Sequence, residues 1–65
     1  MKKVKSMKGW AICQLNKKEV EEFGFNFAVI HPDNAEYLAM GMCDPHDSDI
    51  ECETLEQAIN WIKNY

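Results

Sequence analysis

Toward the C-terminus Leu55, Ala58, Ile59 and Ile62 recur at helical spacing, Tyr65 extends their side, and Glu56, Asn60, Lys63 and Asn64 fill the opposite one. Thr54-Leu55-Glu56-Gln57 has the form of a capping box, in which the threonine hydroxyl accepts from the amide three residues on and the glutamine reaches back to the cap amide. Glu56 in the first turn and Lys63 in the last complement the helix dipole. An amphipathic helix with one core face therefore starts at Thr54. Ahead of it Asp49-Ile50-Glu51-Cys52-Glu53 alternates strictly. An extended conformation there turns Ile50 and Cys52 inward and spaces the three outward acids by about 6.6 Å, twice the rise per strand residue.

Phe23 to Ile30 reads as a longer strand with Phe23, Phe25, Phe27 and Val29 on one face, and His31-Pro32-Asp33-Asn34 after it is a turn signal. From Glu36 to Cys43 the apolar positions fit a strand, yet Ala35, Leu38, Ala39 and Met42 also fit a helical face. Gly41, which weakens a helix, and the preceding turn favour a strand returning antiparallel. An earlier strand spans Met7 to Leu15, with Trp10 and Ile12 facing away from Ala11, Cys13 and Leu15. Asn16 to Glu22 is polar and reads as a hairpin loop or one helical turn opened by Asn16 and Glu19.

These elements predict one α+β domain over residues 1–65, a three- to four-stranded antiparallel sheet with one C-terminal amphipathic helix packed on one face as a two-layer sandwich. Residues 1–6 read as a basic N-terminal tail. One helix covers one sheet face, so the other face, with Cys13, Leu15, Ile30 and Tyr37, is expected to stay open and too apolar for a solvated surface. Hiding about 300 Å² of it would be worth about 7 kcal/mol before association costs. The expectation is a homodimer through that face or a sheet edge, with Trp61 at the helix margin as a further contact.

Charge sharpens the picture. Residues 1–18 hold six of the seven lysines and no acid, whereas residues 19–65 hold all eleven acids and only Lys63, which gives +6 against −10. The acidic body argues against direct nucleic-acid binding, whose footprint is a basic stripe. Asp44, Asp47, Asp49, Glu51, Glu53 and Glu56 form an acidic edge that reads either as a solvated face or as a carboxylate row meeting a basic surface on a protein partner. No apolar run is long enough for a signal segment or a membrane span, so a soluble, cytoplasmic chain with no membrane association is expected, its three cysteines reduced.

Candidate chemistry is sparse. Cys43, His46 and Cys52 are candidate zinc ligands, but a paired ligand spacing occurs only once, between Cys43 and His46, and Cys13 and Cys52 read as small strand hydrophobes. The aspartates from Asp44 to Asp49 lack the glycine and the terminal glutamate of a calcium loop. Neither His31 nor His46 is set up beside a nucleophile, and Gly9, Gly24 and Gly41 form no phosphate-cradling pattern. No catalytic residues, no cofactor and no enzyme activity are expected.

Ile30-His31-Pro32-Asp33 and Thr54-Leu55-Glu56-Gln57-Ala58 resemble HicB-type antitoxin domains, in which a strand ends in Pro-Asp and a later Thr-Leu-Glu-Glu-Ala segment starts a helix. That family's Pro-Gly-Cys turn is absent, and about a dozen residues are inserted between Leu38 and Glu53. Thr-Leu-Glu-x-Ala followed by Trp61-Ile62 is also similar to the ends of small phage and mobile-element proteins, including anti-CRISPR inhibitors of bacterial defence. The shared residues are capping and core residues, so the resemblance implies architecture. Small size, the absence of catalytic groups and the acidic edge lead instead to the expectation of a small protein-binding inhibitor, of a phage or mobile-element kind, that occludes a basic surface of a host nuclease or defence complex. An antitoxin module neutralising a small toxin is the alternative, and a zinc-binding protein the rival from another class.

Overall fold

The computed structural model describes all 65 residues. Strand β1 (Lys2–Met7) turns into β2 (Trp10–Gln14), and helix α1 (Lys17–Phe23) leads to β3 (Phe27–Ile30). A 3-10 turn at Pro32–Asn34 runs into the short helix α2 (Ala35–Ala39), a second at Pro45–Asp47 precedes β4 (Ile50–Cys52), and α3 (Leu55–Lys63) ends the chain. The four strands form one antiparallel sheet in the order β1-β2-β3-β4, so sequence order is also spatial order. The α+β class and the C-terminal helix on an antiparallel sheet stand as the sequence predicts.

Layer α3 is built as its pattern dictates. The Thr54 hydroxyl accepts from the Gln57 amide at 3.1 Å, and the Gln57 carboxamide oxygen accepts from the Thr54 and Glu53 amides at 3.3 and 2.9 Å. Its inner face presses Ala58 and Ile62 onto Trp10, Ile12, Val29 and Cys52, with Phe27, Ile50, Leu55, Ile59 and Trp61 packed around them. Trp10 anchors this layer, meeting the rings of His31, Trp61 and Tyr65 edge-on at about 5 Å.

The opposite sheet face departs from expectation. Its strand residues are those read from the alternation, Ala11, Cys13, Leu15, Ala28 and Ile30, but they are buried under the chain itself together with Phe25. Val20 and Phe23 of α1 and Leu38 of α2 pack against them, with Cys43 and Met1 at the margin. The molecule has three layers: the segment read as a hairpin loop or one helical turn is helix α1, as the second alternative had it, and the segment read as a strand is helix α2. Asn16 opens α1 through a full capping box with Glu19, the Asn16 side chain accepting from the Glu19 amide at 2.8 Å. Gly41 ends α2 instead of interrupting a strand: it lies at φ +73, its amide donates to Leu38 O at 3.0 Å, and the Met42 amide donates to Tyr37 O at 2.8 Å. That pair of bonds is the glycine-terminated helix stop.

Two further readings are corrected. Residues 2–7 are an edge strand and not a tail, paired with β2 through a bulge between Lys3 and Lys5, and Lys8-Gly9, both at positive φ, make the two-residue turn. Phe23 and Phe25 do not share a strand face with Phe27 and Val29: α1 ends at Phe23, Gly24 at φ +85 reverses the chain, and the two rings enter the α1 side of the core.

Candidate functional site

The acidic edge forms around β4, the last strand of the sheet. Ile50 and Cys52 turn toward α3, half-buried and buried, while Glu51 between them is exposed. Asp49 and Glu53 flank the strand and are exposed too, held by their backbones: the Asp49 amide donates to Val29 O at 2.8 Å and the Glu53 amide to the Gln57 side chain at 2.9 Å. The Glu51 Cα lies opposite Ala28, on the face away from α3, with Asp49 and Glu53 flanking it at the two ends of the strand.

Asp44 and Asp47 sit earlier, in the 3-10 turn. The Asp44 carboxylate accepts from the His46 amide at 2.8 Å and the Asp47 carboxylate from the Asp44 amide at 2.9 Å. Each is committed to a cap and still keeps exposed oxygen. Glu56 occupies the exposed first turn of α3. None of these six carboxylates has a cationic partner: the chain's ion pair is that of the Met1 ammonium with Glu19 at 2.7 Å, and the only other acid near a base is Asp33, beside the His31 ring.

The face expected to bind a second copy is not a face. Cys13, Leu15 and Ile30 are buried beneath α1 and α2, because the segments that were to leave them open are the helices that cover them. Tyr37, half-exposed on α2, and Trp61, half-buried on α3 against Trp10, belong to opposite sides of the sheet. The apolar argument for a dimer through Cys13, Leu15 and Ile30 therefore has no exposed area to act on.

The candidate zinc ligands do not converge. Cys52 lies in the α3 layer of the core and Cys43 against the α1 and α2 layer, so the sheet separates them, and no group of three His, Cys, Asp or Glu residues is placed to hold a metal ion. Burial pushes all three thiols up from their ordinary range; for Cys43 the Asp47 and Asp44 carboxylates add to it, and the Cys43 thiol donates weakly to Asn34 O at 3.5 Å. Three surface hollows of about 580, 170 and 510 Å³ are lined by carboxamides, lysines and apolar groups, without a His, Cys, Asp or Glu in any. The His46 ring packs edge-on against Phe23 at 4.7 Å, and His31 Nδ1 accepts from the Asp33 amide at 3.0 Å, so both rings serve packing and turn formation.

Sequence reasoning missed two features. Tyr37, Met40 and Met42 expose 51%, 64% and 64% of their surface within six residues, just ahead of Asp44, a run whose apolar period was absorbed into a strand. Lys2, Lys3 and Lys5 stand exposed along the opposite sheet edge; only their clustering was visible. No helix is long and apolar enough to cross a membrane. Comparison with family models, with curated proteins and with solved structures returns no match.

Proposed function

We propose that this chain is a non-enzymatic, stoichiometric protein-binding domain that seats its β4 edge on a basic surface of a partner protein. The carrying observation is the run of carboxylates at and around an edge strand, Asp49, Glu51 and Glu53 with Asp44, Asp47 and Glu56 beside it, exposed and without a single internal cation. An edge strand leaves one row of backbone groups unpaired, so a partner is met by both hydrogen-bonding groups and charge. Tyr37, Met40 and Met42 supply the apolar contact that carboxylates lack, methionine being suited to surfaces that adapt to a partner.

The chain's small size and acidic edge favour as the biological form an inhibitor that occludes a basic surface of a host nuclease or defence complex. An antitoxin-like module would direct the same carboxylates at a small toxin. Gene neighbourhood separates them, a block of phage genes favouring the first and an adjacent small toxin gene the second.

Affinity capture from host lysate, wild type against the triple variant Asp49→Lys, Glu51→Lys, Glu53→Lys, is the test. A dominant basic protein retained by the wild type, released by salt and lost in the variant is the expected result. Equal retention by both removes the acidic edge from the interface.

A further inference from the structure

The two edges of the sheet carry opposite charge. β1 presents Lys2, Lys3 and Lys5, all exposed, and β4 with its flanks presents Asp49, Glu51 and Glu53. Neither set is neutralised within the chain. Charged side chains on an edge strand repel an identical edge, so symmetric pairing of β1 with β1 or β4 with β4 sets lysine against lysine or acid against acid. That device does not act between β1 and β4, whose edges carry opposite sign, although Lys2 and Lys5 stand on the α3 face and only Lys3 shares the face of Glu51.

Direction and facing agree with such a contact. Four strands in antiparallel succession make β1 and β4 run in opposite directions. A second copy set beside the first in the same orientation thus brings its β1 antiparallel to β4 and continues the sheet. Lys3 pairs with Cys13 and Glu51 with Ala28, and Cys13 and Ala28 both lie in the core layer beneath α1 and α2. Paired residues share a face, so Lys3 and Glu51 project from the same side of the sheet.

We propose that this protein self-associates head to tail, the lysine edge of one copy adding to the acidic edge of the next, with Lys3 seated among Asp49, Glu51 and Glu53. The inference rests on the acidic edge being a binding surface and adds that the chain carries a matching basic strand of its own. A heterologous contact of this kind leaves a free edge of each sign at the ends of any open assembly, so copies add on until a ring closes, and with no closure the product is an open chain. β4 is three residues long, which keeps the contact weak and reversible, and a basic partner that occupies β4 dismantles the assembly.

Sedimentation velocity over a concentration series tests this in about 0.01 M salt, where charges act over about 30 Å, and in about 1 M, where they act over about 3 Å. Wild type is expected to sediment progressively faster with concentration in low salt and as a monomer in high salt. Lys3→Glu with Lys5→Glu, and separately Glu51→Lys with Glu53→Lys, each reverse the net sign of one edge to match the other and are expected to be monomeric alone. Their equimolar mixture is expected to associate again, because each then offers an edge of opposite sign to the other.

A monomeric wild type in low salt, swapped variants that associate like wild type, or a mixture that stays monomeric would overturn the proposal. Backbone amide shifts of the wild type on dilution give a measure independent of any variant: changes are expected at residues 2–5 and 49–53, and changes confined elsewhere overturn it. The lysine-edge variant keeps every β4 acid. Lost self-association with retained capture of a basic partner therefore separates this inference from the function on which it rests.

Discussion

Ile30→Val tests the third layer of the fold most directly. Ile30 is fully buried on the sheet face covered by α1 and α2, in the cluster of Cys13, Leu15, Phe25 and Ala28. Removing one buried methylene forfeits its transfer energy and leaves a small cavity, together about 1 kcal/mol. A chain of this length has a total stability of roughly 3 to 10 kcal/mol, so the loss is a large fraction of it. It converts to a fall in Tm of about 4–8 °C for a domain of this size. Ile30→Ala, at about 2–5 kcal/mol, is enough to unfold a domain at the lower end of that range, which makes valine the informative choice. Thermal unfolding followed by circular dichroism reads the shift, with Met42→Ala, 64% exposed, as a control expected within about 0.5 kcal/mol of wild type. An unchanged Tm would refute the covering layer. A fall that varies with protein concentration would refute it differently, by assigning the burial of Ile30 to a second copy.

Gly41→Ala is expected to cost about 1 kcal/mol through its positive φ alone, since the space around a new Cβ is open; Gly41→Asn, which tolerates that backbone, should recover most of the loss in Tm. The Met1 ammonium, and after it the Asn16 amide, hold the Glu19 carboxyl below the ordinary glutamate range. A carboxyl whose folded value is depressed contributes stability above its unfolded value and loses it as pH falls through the folded one. Glu19→Gln is therefore expected to lower Tm near neutral pH and to match wild type once pH has dropped below that folded value; a gap that persists there would rule out the pairing. Alkylation of the native protein is expected first at half-buried Cys43, slowly at neutral pH and faster as pH rises because its thiol is shifted up. Cys13 and Cys52 should react only at the rate of unfolding, and labelling of Cys13 as fast as Cys43 would contradict its burial.

What was legible in the sequence was local and periodic. Thr54 and Gln57 cap α3, and Ile50 and Cys52 alternate into β4, because each of these elements puts one face in the core and one in water. What failed was glycine punctuation. Gly41 reads as a weak spot in a helix but sits after the last turn of α2, where a left-handed residue is what a helix stop requires; Gly9 sits inside an apparent strand and is half of the Lys8-Gly9 turn. With α2 read as a strand and α1 as a loop or a single helical turn, neither was counted as cover, and the correct parity of Ala11, Cys13, Leu15, Ala28 and Ile30 led to an open face that does not exist. β1 was illegible for another reason. Its residues from Lys2 to Ser6 are exposed, so it has no apolar period, and it is a strand because β2 offers it hydrogen bonds and not because it buries a side chain.

The candidate site shows the same division. The acids at Asp49, Glu51 and Glu53 were visible as an alternating row, but the lysines at Lys2, Lys3 and Lys5 had no visible geometry until β1 was seen to be a strand. In an antiparallel meander the order of strands along the chain is their order across the sheet, so a charge gradient along the sequence becomes a charge gradient in space. Had β1 lain between β3 and β4, its lysines would have been enclosed beside the β4 acids and the sheet would have had no lysine edge. The topology therefore leaves both edges charged and unpaired, and it makes each edge repel its own kind while remaining open to the other sign.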